Sequence, residues 1–367
     1  MKVVIISNYL NHHQKPICDA FKRITNGNFH FIATEKVSKW RKQLGYQEMS
    51  DNYVIDCSNN DNRLHAIALI NEADVVITDA EDLSLTNQRY KDRRIIFRAS
   101  ERLFKSVTRY LKAPVHFIKA FKTKQMYLLC NSAYAAQDYK WLGFFNNRAF
   151  KWGYFPELIE YNDIDSILHR RKELKLLWVG RLISLKHPEY AIEAADMLRR
   201  KAIDFRMEII GDGSKMDEMK QMIMDKGLKD NVHLLGAMPY IKVRDYMEEA
   251  DIFLFTSDRR EGWGVVLNEA MNSACAIVAN KDIGAVPFLI EDGVNGVYYS
   301  SKEEYLNQVY NIAVNQEYRN KLGRAAYDTI LKIWNAENAA MSFISLVNSL
   351  LRGEDNPIKK GPCSQAE

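Results

Sequence analysis

Short, continuously apolar runs alternate with helix-periodic stretches in this chain, and the pattern starts twice. The first series holds Val3–Ser7, Phe29–Ala33, Val75–Thr78, 95–97 and 127–130. Stretches 16–24 and 64–72 between them repeat apolar residues at helical spacing. A strand that is apolar at every position has both faces buried. Helices between such strands imply a parallel sheet covered on both sides. After a polar, charged stretch at 161–175 the pattern restarts. Strands are expected at 176–179, Arg206–Ile210, 232–235, Ile252–Phe255 and 276–279, with helices at Glu189–Arg200, 215–226, 241–249 and 265–273. The sequence therefore predicts an α/β chain of two facing, doubly wound parallel-sheet domains, 1–160 and 174–330. The length of 367 residues fits two domains. Helices are expected at 302–315, 317–331 and 335–351, the last packing back onto the first domain. The polar segment 353–367, with two prolines and two glycines, reads as a disordered tail.

Composition removes several function classes. Lys plus Arg number 51 against 47 for Asp plus Glu, a net charge of +4. That is too near balance for a dedicated nucleic-acid binder. Cys18, Cys57, Cys130, Cys275 and Cys363 are odd in number and form no Cys-x-x-Cys pair, so neither a disulfide scaffold nor a zinc module is expected. The first apolar run turns polar at Asn8, Asn11, His12 and His13, unlike a signal peptide. No run approaches the ~20 apolar residues of a spanning helix. These features fit a cytoplasmic chain. Ser7 to Gln14 contains no glycine, so the dinucleotide fingerprint that would follow a first Rossmann strand is missing. A dinucleotide-dependent oxidoreductase is disfavoured.

Open parallel sheets bind ligands beyond the carboxyl ends of their strands. Two such sheets facing each other suit a two-substrate enzyme. Strand 176–179 leads into Gly180-Arg181-Leu182 and then Lys186. Arginine offers a planar fork for phosphate oxygens and lysine a point charge. For Gly-Arg alone, a pair of solvated cations in a surface loop is the favoured reading. Strand Ile252–Phe255 leads to Glu261-Gly262-Trp263-Gly264-Val265 and a helix carrying Glu269. A glycine-rich turn entering a helix can present free amides to a diphosphate. Acids at both ends of that turn suit ribose and sugar hydroxyls. Glu261 and Glu269 are not a glycosidase pair: eight helical steps rise ~12 Å, beyond the ~5–9.5 Å such pairs require. A solvated helix glutamate is the plainer reading of Glu269, weakened by its apolar neighbours Val265, Val266, Leu267, Ala270 and Met271.

These motifs, in order, resemble the donor domain of family 4 glycosyltransferases with the Rossmann-like GT-B fold. Val179-Gly180-Arg181-Leu182 with Lys186 and His187, Ile210-Gly211-Asp212-Gly213, Leu235-Gly236, the Glu261-x7-Glu269 element, Glu291-Asp292-Gly293-Val294-Asn295-Gly296 and the helix beginning at Trp334 carry the resemblance over 174–351. It implies retaining transfer of a sugar from a nucleotide diphosphate sugar, UDP- or GDP-linked, to a glycan or lipid-linked acceptor in surface polysaccharide or glycolipid synthesis. Arg181, Lys186 and the amides of Gly262, Trp263, Gly264 and Val265 would stabilise the departing diphosphate. Glu269 would accept from the ribose hydroxyls and Glu261 from a donor-sugar hydroxyl, while Gly180 and Gly236 line the nucleotide. The resemblance implies no metal and no cofactor beyond the co-substrate. A non-catalytic nucleotide-sugar-binding or partner protein on the same fold is the alternative.

The first half departs from the family. Its usual Gly-Gly turn after the first strand is replaced by Asn8-Tyr9-Leu10-Asn11-His12-His13-Gln14, and its usual histidine after a central strand by Arg98-Ala99-Ser100-Glu101. His12, His13, Arg98 and Glu101 are the acceptor-side candidates; for the histidines, bonding to phosphate, sugar or acceptor and a solvated helix start are evenly matched readings. Residues 102–124 hold seven Lys or Arg and no acid, interleaved with apolar side chains. Such a stretch fits either contact with an anionic membrane surface or a helix pair resting on its own sheet.

Overall fold

The computed structural model describes residues 1–38, 49–59, 61–80, 83–103, 124–170 and 173–367. Contacts divide the chain into two compact units: Met1–Glu157 with Ile333–Glu367, and Leu158–Lys332. Each is a parallel sheet with helices.

In unit 1 the strands are β1 (Val3–Ser7), β2 (Phe29–Ala33), β3 (Val54–Asp56), β4 (Val75–Thr78), β5 (Ile96–Ser100), β6 (Met126–Cys130) and β7 (Ala149–Lys151). Their order is β3-β2-β1-β4-β5-β6-β7. The helices are α1 (Lys15–Ile24), α2 (Arg63–Glu72), α3 (Asn87–Lys91) and α4 (Ala135–Trp141). β1 and β4 are buried along their whole length, as continuous apolar strands require. The register pairs Ile6 with Thr78, so β1 and β4 end side by side. The order reverses between these two strands, and at such a switch point the loops part and leave a crevice. The sequence did not predict β3 or β7. Both are three-residue strands at the sheet's edges, too short to show periodicity.

A buried cation ties unit 1 together. Arg89 of α3 is fully buried and donates to the carbonyls of Ile70, Ala73 and Ile95 at 2.8, 2.7 and 2.7 Å and of Asp74 at 3.2 Å. Those carbonyls lie at the end of α2 and beside β4 and β5, where regular bonding leaves acceptors open. Burial lowers the Arg89 pKa to about 10.

Unit 2 contains α5 (Ile164–Arg170), β8 (Lys175–Val179), α6 (Glu189–Arg200), β9 (Arg206–Ile210), α7 (Met216–Asp225), β10 (Val232–Gly236), α8 (Tyr240–Glu249), β11 (Ile252–Phe255), α9 (Val266–Asn272), β12 (Ala276–Asn280), α10 (Val286–Leu289), β13 (Val297–Tyr299), α11 (Lys302–Val314) and α12 (Gln316–Lys332). The strand order β10-β9-β8-β11-β12-β13 puts the reversal between β8 and β11. The three C-terminal helices begin and end within two residues of their expected bounds.

The chain then returns to unit 1 as α13 (Ala336–Arg352). Asn335 caps it by accepting from the Asn338 amide at 2.9 Å, and Gly353 ends it in a left-handed conformation at φ 70°. The Phe343 ring meets Phe21 of α1 and Phe97 of β5 at centroid distances of 5.5 and 4.8 Å.

The expected disorder of 353–367 is corrected. Lys151 and Cys363 exchange backbone contacts, with the Cys363 amide donating to the Lys151 carbonyl at 2.7 Å and the Lys151 amide to the Ser364 carbonyl at 2.8 Å. The Ala366 amide donates to the Ala149 carbonyl at 2.9 Å. Cys363 and Ser364 are buried. The tail lies antiparallel along β7 and satisfies backbone groups that an edge strand leaves open.

Candidate functional site

Unit 2 gathers the sequence-predicted groups at the carboxyl ends of β8 and β11, on either side of its switch point. Lys186 and Glu261 form a salt bridge, each side chain 15% exposed. The turn carrying Lys186 is held from β11. The Thr256 hydroxyl donates to the carbonyl of Lys186 at 2.7 Å and lies 3.0 Å from that of His187, while the indole of Trp178 donates to the same hydroxyl at 2.8 Å. His187 takes a left-handed conformation at φ 47° and lies between Glu189 at 2.8 Å and Asp258 at 3.3 Å. Asp258 is also gripped by Arg260, which with the His187 contact holds its carboxyl below the usual range against a desolvation penalty. Arg181 is exposed, with no side-chain partner among the described residues.

Glu269 lies in the first turn of α9. No protein group donates to its carboxylate among the described residues, and solvent still reaches the side chain. Burial raises its pKa to about 7, opposed by the Arg244 charge. Arg244 does not bond the carboxylate: its guanidinium donates to the Glu269 carbonyl at 2.9 Å and to Asn272 at 2.6 Å. The carboxylate is thus crowded but unpaired. Between Glu261 and Glu269, no backbone carbonyl accepts from the amides of Gly262, Gly264 or Val265 among the described residues.

Several donor-side candidates also carry packing duties, separate from the backbone amides for which they were singled out. Trp263 is 1% exposed and its indole donates to Asn268 at 2.8 Å, so its side chain is a packed wall rather than a surface for a ligand. Gly264, at φ 85°, is demanded from within: a Cβ there would lie 2.2 Å from the Phe255 ring. Gly180 and Gly211 likewise serve the approach of two turns, since a Cβ on Gly211 would lie 1.8 Å from the Gly180 carbonyl oxygen. Gly236 ends β10 at φ 71° with open space beside it, and its carbonyl accepts from the Gly211 amide at 2.9 Å. Asp163-Ile164-Asp165 forms an Asp-x-Asp run. Asp163 spends one oxygen on the amides of Asp165 and Ser166 at the start of α5, and Asp165 pairs with Arg324.

In unit 1 the acceptor-side candidates fall into two groups. The rings of His12 and His13 are 3.8 Å apart. Burial, with the neighbouring His12, lowers the His13 pKa to about 3, so its imidazole is neutral. Arg98 donates to the Ala80 carbonyl. Arg98 and Glu101 both act on Asp79, a residue sequence reasoning missed. Asp79 directly follows β4 and accepts from the Ser7 hydroxyl at 2.8 Å. Its position one residue beyond an apolar strand was the available signal. Residues 104–123 of the basic stretch lie outside the described residues; Arg102 lies 3.6 Å from Asp138 and over the Tyr134 ring at 4.8 Å. No helix among the described residues is long and apolar enough to cross a membrane.

Comparison with known proteins places this geometry. Residues 161–329 match the family model described as glycosyl transferases group 1. An amylovoran biosynthesis glycosyltransferase of Erwinia amylovora is 38% identical over 128 residues, 34% of this chain and 31% of that protein. An alpha-D-kanosaminyltransferase of Streptomyces kanamyceticus is 34% identical over 122 residues, 33% of this chain and 31% of that one. The matches thus span under a third of these curated relatives. Over the whole fold, the crystal structure of Anabaena HepE in complex with UDP superposes with a TM-score of 0.72 at 15% identity, covering 95% of this chain and 100% of that one. A Staphylococcus aureus TarM mutant structure with UDP gives 0.63 at 14% identity, covering 95% and 100%.

Proposed function

We propose, given that residues 161–329 match the family model of the glycosyl transferases group 1, that this chain is a retaining glycosyltransferase. It moves a sugar from a nucleotide diphosphate sugar to a glycan or lipid-linked acceptor in surface polysaccharide or glycolipid synthesis. Unit 2 is the donor domain and unit 1 the acceptor side. The observation that carries the reading is Glu269: a crowded carboxylate with no donor among the described residues, in the helix that follows β11 and the Glu261–Val265 turn. The crowding that raises its pKa to about 7 is offset by no protein hydrogen bond among those residues, and a pair of ribose hydroxyls supplies donors.

The reaction follows from charge. As the glycosidic bond breaks, negative charge grows on the diphosphate. Arg181 has no side-chain partner among the described residues and Lys186 is already fixed by Thr256 and Glu261, so both are available to that charge. Glu261 accepts from a donor-sugar hydroxyl while its other contact orients Lys186. The leaving phosphate takes the acceptor proton, so no protein base is required. No metal or further cofactor enters this scheme. Supporting the donor class are the UDP complexes among the structural neighbours; supporting the pathway is the amylovoran biosynthesis relative. The enzyme works in the cytoplasm, meeting the inner face of the membrane through 102–124.

Thermal shift with UDP, GDP, ADP and CMP tests this. Selective stabilisation by one nucleotide, abolished in Glu269→Ala, is expected. A ligand at a hundred times its dissociation constant adds about 2.7 kcal/mol, so a genuine site is visible. No stabilisation by any nucleotide favours the non-catalytic reading.

A further inference from the structure

Unit 1 has its own crevice at its own switch point, and its chemistry differs from that of unit 2. A chamber of about 50 Å³, open to solvent, lies where β1 and β4 end. One water needs about 10–15 Å³ by the same measure, so the chamber has room for several. Its lining includes the polar residues Ser7, Gln14, Asp79 and Asn131, the aromatic residues Trp152 and Tyr154, and the apolar residues Ile17 and Phe31.

The polar residues are ordered in advance. The Asn11 amide donates to the Gln14 side-chain oxygen at 3.0 Å, the Gln14 amide donates to the Ser7 hydroxyl at 3.1 Å, and Ser7 donates to Asp79 at 2.8 Å. That chain fixes one carboxylate oxygen and leaves the other to a ligand. Asn131 gives an independent sign. It is 8% exposed, its side-chain oxygen is buried, and no hydrogen-bond donor reaches that oxygen among the described residues. Buried polar atoms are nearly always paired. An unpaired one in a chamber wall calls for a donor from outside.

The charge balance names the class of donor. The described lining contains Asp79 and no Lys or Arg. His13 is in the lining but neutral, as its low pKa requires. A phosphate, sulfate or uronic carboxylate would meet that carboxylate and no cation among the described lining residues, and Arg98, whose charge offsets Asp79, is engaged by the Ala80 carbonyl. An uncharged ring rich in hydroxyls would satisfy Asn131 and Asp79 and rest its carbon face against the aromatic residues.

We propose that this chamber seats a neutral sugar ring, the receiving end of the acceptor, with the Asn131 side-chain oxygen and Asp79 each accepting from a ring hydroxyl. This rests on the transferase reading and sharpens it: the acceptor terminates in an uncharged glycosyl residue, not in a lipid phosphate or an acidic sugar. Asn131 and Asp79 are then the residues that select it.

The test uses the full-length protein and defined probes. Saturation-transfer NMR and thermal shift are run with methyl glycosides of glucose, galactose, mannose and N-acetylglucosamine, and in parallel with glucose 1-phosphate and glucuronic acid. UDP, GDP and ADP form a separate arm. At least one methyl glycoside is expected to bind, and Asn131→Leu to weaken it at least tenfold, while that variant's melting temperature holds or rises because an unpaired buried oxygen has been removed. Asp79→Asn, which keeps the shape, should weaken the same glycoside. Binding by none of the glycosides, binding of the anionic sugars in preference, or glycoside binding indifferent to both substitutions overturns the proposal. The nucleotide arm separates the two readings: a glycoside that binds without any nucleotide response retains the chamber and removes the transferase, and the reverse removes the chamber alone.

Discussion

The two units solve one topological problem with opposite chemistry. Each sheet reverses its strand order between its first strand and the strand that pairs on the other side, β1 with β4 and β8 with β11. Each therefore opens a crevice at the same relative place. Unit 2 fills its crevice with charge: the Lys186–Glu261 pair, an exposed Arg181 and the unpaired Glu269. Unit 1 fills its crevice with hydroxyl, amide and aromatic groups around a single carboxylate. On the proposed reading the former suits a diphosphate and the latter a neutral polyol. The fold supplies the location, and the side chains decide the ligand.

That contrast can be broken most severely at Arg89, which belongs to unit 1 only. Arg89→Ala leaves four carbonyls without their donor in a packed interior, at a cost of about 3–5 kcal/mol. The expected result is an early melting step in calorimetry, with nucleotide stabilisation of unit 2 retained. A single cooperative transition, lowered as a whole, would mean that the units do not melt separately.

Lys186→Ala strikes the charged crevice. It removes a charged contact worth about 1.5–3 kcal/mol, so turnover should fall on the order of tenfold to a hundredfold. Neutral glycoside binding should not change. Kinetics like those of the wild type in a folded variant would take Lys186 out of the site.

Glu269 predicts a pH signature confined to unit 2. Its pKa of about 7 means the proton must leave before both ribose hydroxyls can donate to it. Nucleotide affinity should therefore fall about tenfold from pH 8 to pH 6. Glu269→Gln should flatten this, leaving only the nucleotide's own titration. The sign for stability is opposite. A carboxyl whose pKa is raised by folding holds its proton longer in the folded chain, so the free protein loses stability as pH rises from the ordinary 4.5 through about 7. Titration calorimetry at both pH values checks the first statement, and denaturant melts of wild type and Glu269→Gln check the second.

The smallest effect is expected at Arg23. Its salt bridge to Glu337 joins α1 to α13, but both side chains are exposed. Surface pairs of this kind contribute about 0–1 kcal/mol. Arg23→Ala should leave the melting temperature nearly unchanged, because Phe343 rather than the ion pair holds α13 in place.

Much of this was legible in the sequence, for reasons that differ by region. Continuous apolar strands such as Val3–Ser7 and Ile252–Phe255 announce burial on both faces, which is why the parallel sheets could be read directly. The charged donor-side groups were legible because they lie in compact motifs: Glu261 and Glu269 share a single turn and helix, and Arg181 and Lys186 follow a single strand. The unit 1 chamber was not. Ser7, Asp79 and Asn131 come from three strand ends far apart in the chain, and each looks ordinary by itself. The tail was misread for a related reason. Its pairing with β7 runs through backbone groups, which every non-proline residue carries and no composition reveals.

The sequence by itself determined the α/β class, the two sheets and the position of the charged turn, because periodicity and local motifs are properties of neighbouring residues. Tertiary structure alone decided which glycines packing demands, as Phe255 demands Gly264. It decided that the Trp263 side chain is a wall, that Glu269 has no donor among the described residues, and that Asp79 and Asn131 share a chamber. Those are facts about distance between residues remote in the chain, set by strand order and register, and only the folded chain fixes them.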